Sequence, residues 1–143
     1  MAIKKTFSTE DKARAFDRVA YVLHSYWKDG TGRAYTTRLF DTLIRHNINC
    51  GRSLNGGGHR EHVVPCGLLI KLSFVMFEQG RSIPEVAQFL EAHLKIADIT
   101  REEARRMDFD LGLKEKMPDG WKLGDDVMAR LVSAGITLVP GQL

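Results

Sequence analysis

Apolar residues recur at helical spacing along most of this chain, and only short stretches carry a strand-like pattern. Ser8 and Thr9 can cap a first helix, with Glu10 and Asp11 in its opening turn and Phe16, Val19, Ala20, Leu23 and Trp27 on one face. The run Asp29-Gly30-Thr31-Gly32 ends it. A second helix is predicted over residues 34–46, with Tyr35, Leu39, Leu43 and Ile44 inward. Residues 47–58 are rich in Asn and Gly and hold no apolar period, so they read as a loop closed by a flexible Gly56-Gly57-Gly58 turn. Val63-Val64 reads as a strand end stopped by Pro65. Residues 67–79 are helical, with Leu68, Leu69, Leu72, Val75 and Met76 on one side and Gly80 as C-cap. Residues 82–93 form another helix, capped by Ser82, with Pro84 in its first turn. Residues 94–99 alternate with period two, as a strand does. Thr100-Arg101-Glu102-Glu103 fits a capping box opening a helix to about Asp108. A last helix over 125–134 stops at Gly135, and residues 136–139 make a short strand.

These elements predict an α+β fold, mainly helical, with a small two- or three-strand element packed on helices. At 143 residues the chain suits one compact domain, divided here into an N-terminal helical segment, 1–50, and a core, 51–143. Apolar residues make up 43 % and charged residues 27 %, an ordinary balance for a folded domain. Apolar runs are short and broken by charge, which excludes a membrane span, and residues 1–8 lack the apolar stretch of a signal peptide. Two cysteines in such a chain point to a reducing, cytoplasmic setting. The net charge of +3 permits a nucleic-acid partner without demanding one.

The chemistry concentrates in Gly58-His59-Arg60-Glu61-His62-Val63-Val64-Pro65. A carboxylate beside an imidazole offers a hard metal ligand and a base that works near neutral pH, the minimum for hydrolysing a phosphodiester with one metal ion. The run Glu61-His62-Val63-Val64-Pro65 resembles the core signature of the HNH, or ββα-metal, nucleases. The resemblance implies that His62 is the general base and Glu61 the acidic ligand of Mg²⁺ or Mn²⁺, with Zn²⁺ as an alternative metal. It also implies a strand-strand-helix unit. Here the segment 94–108 would complete that unit, after a helical insertion that follows Pro65. The chain departs from the family in two ways. The helix over 100–108 carries no Asn or His, and no Cys-x-x-Cys pair is present. The remaining ligands are sought at His59, His93 and Asp108, and phosphate contacts at Arg52, Arg60, Arg105 and Arg106.

The expected activity is a metal-dependent endonuclease of bacterial or phage type acting on nucleic acid, DNA in the first instance. The alternatives are a non-catalytic relative that binds nucleic acid or a larger nucleic-acid enzyme, and a zinc-stabilised helical domain. Zinc would draw on His46, Cys50, His59, His62 and Cys66, whose spacing is irregular. Blander readings stand beside these. Glu61-His62 can be a surface pair, and Cys66 a small apolar residue opening a helix. His93 can be a helix-end residue, and His24 a boundary histidine. Trp27 and Trp121 can be packing residues. Arg101, Arg105, Arg106, Lys114 and Lys116 interleave with Glu102, Glu103, Asp108 and Asp110, the usual composition of a solvated face.

Overall fold

The computed structural model describes residues 8–30 and 37–139. Helices α1 (Thr9–Lys28) and α2 (Arg38–Leu43) precede strands β1 (Asn49–Ser53) and β2 (His59–His62). Helices α3 (Cys66–Glu78) and α4 (Ile83–His93) follow, then β3 (Ile96–Ile99) and α5 (Arg101–Arg105). A π-helical turn (Arg106–Asp110) continues α5, and α6 (Ala129–Ser133) and β4 (Leu138–Val139) close the order. The fold is α+β and mainly helical, as the patterning predicts. The predicted residues 34–36, Tyr35 among them, lie outside the described residues, as do residues 1–7. No helix among the described residues is long and apolar enough to cross a membrane.

The chain forms two compact units, and each is built from two separate stretches. One takes the chain up to Asn47 together with Ile70–Ala92; the other takes Ile48–Leu69 and the chain from His93 onward. The segment 70–92 groups with the N-terminal helices, so the units do not follow the division into 1–50 and 51–143. The reason is aromatic packing. Phe77 of α3 meets His24 of α1 edge-on, with ring centroids 4.9 Å apart, and lies 5.7 Å from Trp27. The Trp27 Nε1 donates to Glu78 Oε1 at 2.8 Å. His24 and Trp27 are therefore boundary packing residues. On α1, Phe16, Val19, Ala20 and Leu23 are fully buried, the face the spacing marks. Ser8 caps α1 and Ser82 caps α4: the Glu85 amide donates to Ser82 Oγ and the Ser82 amide to Glu85 Oε1, both at 3.2 Å. A cap of this kind stabilises a helix by about 1 kcal/mol.

The second unit holds a four-stranded sheet in the order β2-β3-β1-β4. That exceeds the two or three strands predicted, and the unpredicted one is β1, in the segment read as loop. β1 runs parallel to β3, while β2 and β4 are antiparallel to their neighbours. β2 pairs directly with β3, and α5 follows β3, with residues 63–95 between the two strands. The last helix is shorter than its pattern suggests, because residues 125–128 form turns before α6 begins.

Two local devices hold this unit together. Thr100 caps α5 through a capping box with Glu103: the Glu103 amide donates to Thr100 Oγ1 at 3.0 Å, and the Thr100 amide to Glu103 Oε1 at 2.8 Å. The same oxygen accepts from the buried Ser53 hydroxyl at 2.6 Å, tying α5 to β1. Burial alone would raise the Glu103 carboxyl's pKa, yet the donors from Ser53 and Thr100 outweigh it and hold the group below its ordinary value. The second device is the loop between β1 and β2. The Gly56 amide donates to Ser53 O at 2.9 Å and the Gly57 amide to Ile99 O at 3.2 Å, which lays the loop on β3.

Candidate functional site

Side chains alternate along a strand, so β2 sends His59 and Glu61 to one face and Arg60 and His62 to the other. Glu61 and His62 are adjacent in sequence but back to back in space. Alternation thus directs the carboxylate and the imidazole away from each other. The partner of Glu61 on its own face is His59, whose Nε2 lies 2.5 Å from Glu61 Oε2.

Around Glu61 the structure gathers Asp108 and a residue the sequence reading passes over, Arg130. Its Nη2 reaches Glu61 Oε1 at 3.2 Å and Asp108 Oδ1 at 3.3 Å. Its Nε donates to Leu113 O at 2.8 Å, and its Nη1 donates to His62 O at 2.8 Å and Val63 O at 3.4 Å. All five donors of the guanidinium are thereby used. The Arg130 side chain is 1 % exposed, Glu61 12 %, Asp108 19 % and His59 38 %. The cluster thus grades from a buried cation outward to an accessible imidazole. Local structure explains the aim of Asp108. The π-helical turn shifts the register at the end of α5, and such turns recur where a side chain must be redirected.

The remaining candidates fall elsewhere. His93 is buried and its ring stands edge-on to Trp121, with centroids 6.2 Å apart. Trp121 Nε1 in turn donates to Asp126 O at 2.9 Å, so this tryptophan is packed and bonded as a boundary residue. Arg60 and Arg52 are exposed and stand in register on either side of Asp98, across β2, β3 and β1. Asp98 Oδ2 accepts from Asn49 Nδ2 at 2.9 Å. Arg105 and Arg106 are exposed, and Arg106 Nε donates to Ala134 O at 2.9 Å. Cys50 is exposed on β1, and Cys66 opens α3.

A divalent metal does not fit the cluster as built. One Glu61 oxygen is engaged by His59 and the other by Arg130, and the guanidinium between the two carboxylates is fixed by three backbone carbonyls. A dication beside it would meet the full positive charge of a buried guanidinium. Among the described residues, no group of three His, Cys, Asp or Glu is placed to hold a metal ion, His93 and the proposed zinc set included.

Burial, and next to it the Glu61 carboxylate, push the Asp108 carboxyl above its ordinary value, against the pull of Arg130, His59 and Lys114. A raised folded-state pKa favours the native state at low pH, and that advantage is lost as pH rises through the folded value. Asp108→Asn removes the charge while keeping an oxygen for Arg130. The variant is expected to equal the wild type near pH 3.5 and to be the more stable of the two at pH 7. Urea melts at the two pH values check this; a variant destabilised more at pH 7 than at pH 3.5 would contradict it.

Arg130 carries one sequence signal: it is the charged residue in the run Ala129-Arg130-Leu131-Val132, on a helix whose Leu131 is buried. No protein-family profile matches the chain, and neither a curated protein nor a solved structure matches it.

Proposed function

We propose that this chain binds nucleic acid on an HNH-like strand-strand-helix unit and does not use a metal ion to cleave it. The observation that carries the reading is Arg130. It stands between Glu61 and Asp108, the two carboxylates that the HNH-like reading would assign to a cation, and supplies the positive charge itself. The order β2, β3, α5 and the exposed Arg52 and Arg60 support a nucleic-acid ligand, as does a pI of about 9.0. Neither cysteine is in a disulfide, which suits a cytoplasmic setting.

One observation favours the rival reading, catalysis. His59 is the accessible imidazole of the cluster, and Glu61 orients it as a carboxylate orients a general base. The test is plasmid cleavage with Mg²⁺, Mn²⁺ and chelator, beside fluorescence anisotropy with labelled DNA. Binding that weakens steeply with salt, with the plasmid intact in every metal, is the expected result. Metal-dependent nicking that disappears in Glu61→Gln would overturn the proposal. His59→Ala and His62→Ala would then identify the base.

A further inference from the structure

The π-helical turn that aims Asp108 inward turns Phe109 outward. Phe109 is 69 % exposed, and Leu111 beside it is exposed as well. Lys114 Nζ sits 6.0 Å from the centre of the Phe109 ring, and the exposed Arg105 lies four residues earlier, at the end of α5. In sequence this stretch mixes acids and bases evenly, the mark of a solvated face. The structure separates them. Glu103 is taken up by Thr100 and Ser53, and Asp108 by Arg130, so two of its carboxylates face inward. What remains exposed over residues 101–116 is Arg101, Arg105, Arg106, Lys114 and Lys116 against Glu102, Asp110 and Glu115, a net excess of positive charge.

We propose that this turn is a stacking platform for single-stranded nucleic acid. A base lies on the Phe109 ring, and Lys114 and Arg105 meet the phosphates on either side. An exposed phenyl ring gains little in water, but an unpaired base offers it a flat π-face whatever the sequence. The ammonium over one face of the ring leaves the other face for a base, matches a polyanion and repels a basic partner. A protein partner would instead be read by shape, and the charge around the ring favours the polyanion. The inference rests on the nucleic-acid reading above and adds to it the strandedness of the ligand and the residues that touch it.

The experiment is fluorescence anisotropy of the full chain with fluorescein-labelled oligo(dT) and with a duplex of equal length, for wild type, Phe109→Ala, Phe109→Trp and Lys114→Gln. Phe109→Ala should weaken oligo(dT) binding roughly 5- to 100-fold, the range that loss of one stacked base implies. Duplex binding should be unchanged and Phe109→Trp should retain affinity. Lys114→Gln should flatten the salt dependence on oligo(dT) by about 0.7 in log–log slope. Phe109 is exposed, so an unchanged melting curve is expected to accompany these effects. If wild type binds DNA and Phe109→Ala binds oligo(dT) equally well, the platform is wrong and the nucleic-acid reading stands. Equal losses on oligo(dT) and duplex would also overturn stacking. If wild type binds neither probe, the nucleic-acid reading itself fails.

Discussion

Replacing Arg130 by methionine is expected to lower stability by about 3–5 kcal/mol, the cost of removing one partner from a buried ion pair. The change leaves Glu61 and Asp108 facing each other without their shared cation, and leaves the carbonyls of Leu113, His62 and Val63 without their donor. For a chain of this size the melting temperature should fall by roughly 10–20 °C. Arg130→Lys should recover little, since an ammonium is a point charge with three donors and cannot span five acceptors in a plane. A triple change, Arg130→Met with Glu61→Gln and Asp108→Asn, should regain part of the loss, because the uncompensated charges go with the guanidinium. Urea melts of the four proteins decide the matter. An Arg130→Met variant within about 1 kcal/mol of wild type would mean that the cluster is solvated and contributes only as surface pairs do.

Gly56→Ala is expected to cost about 3 kcal/mol, at the upper end of what overpacking does. A methyl group there would collide with the Asp98 carbonyl oxygen and lie 2.9 Å from both Ser53 N and Ser53 O. All three are backbone atoms of the sheet, so no side chain can swing away. Relief requires lifting the loop off β3, and with it the start of β2 that aims His59 and Glu61. Gly67→Ala is the control. Its added methyl group meets nothing within 4 Å and its backbone is ordinary helix, so it should be neutral or slightly stabilising. Thermal melts of both variants test the pair. Equal stability for the two would show that the loop is not seated on the strand as described.

Local signals were legible and partnerships were not. Ser8, Ser82 and Thr100 announce their helices because a cap is decided within four residues. β1 escapes because Asn49-Cys50-Gly51-Arg52-Ser53 has no apolar alternation of its own; it is a strand because β3 and β4 pair with it. Arg130 escapes for a related reason. A charged residue on a short helix reads as surface until the carboxylate of β2 and the carbonyls after it are brought alongside. The separation of Glu61 from His62 follows from period two alone. It is missed when the strand is placed at Val63-Val64 rather than over His59–His62. Asp108, sought from sequence as a metal ligand, shares the Arg130 guanidinium with Glu61.

The interleaving of the two units bears on the order in which a nascent chain can acquire structure. Neither unit is a contiguous length of sequence. While translation has passed only Asn47, α1 and α2 have an apolar face and no α3 or α4 to cover it, so it stays wetted until residue 92 has left the ribosome. The sheet waits longer, since β1 and β2 meet only through β3, which lies between them. Closing contacts over such separations is slow compared with forming a helix. Nor can either unit be excised as a single fragment: a cut after Leu69 severs α3 and splits the sheet, leaving β1 and β2 without β3.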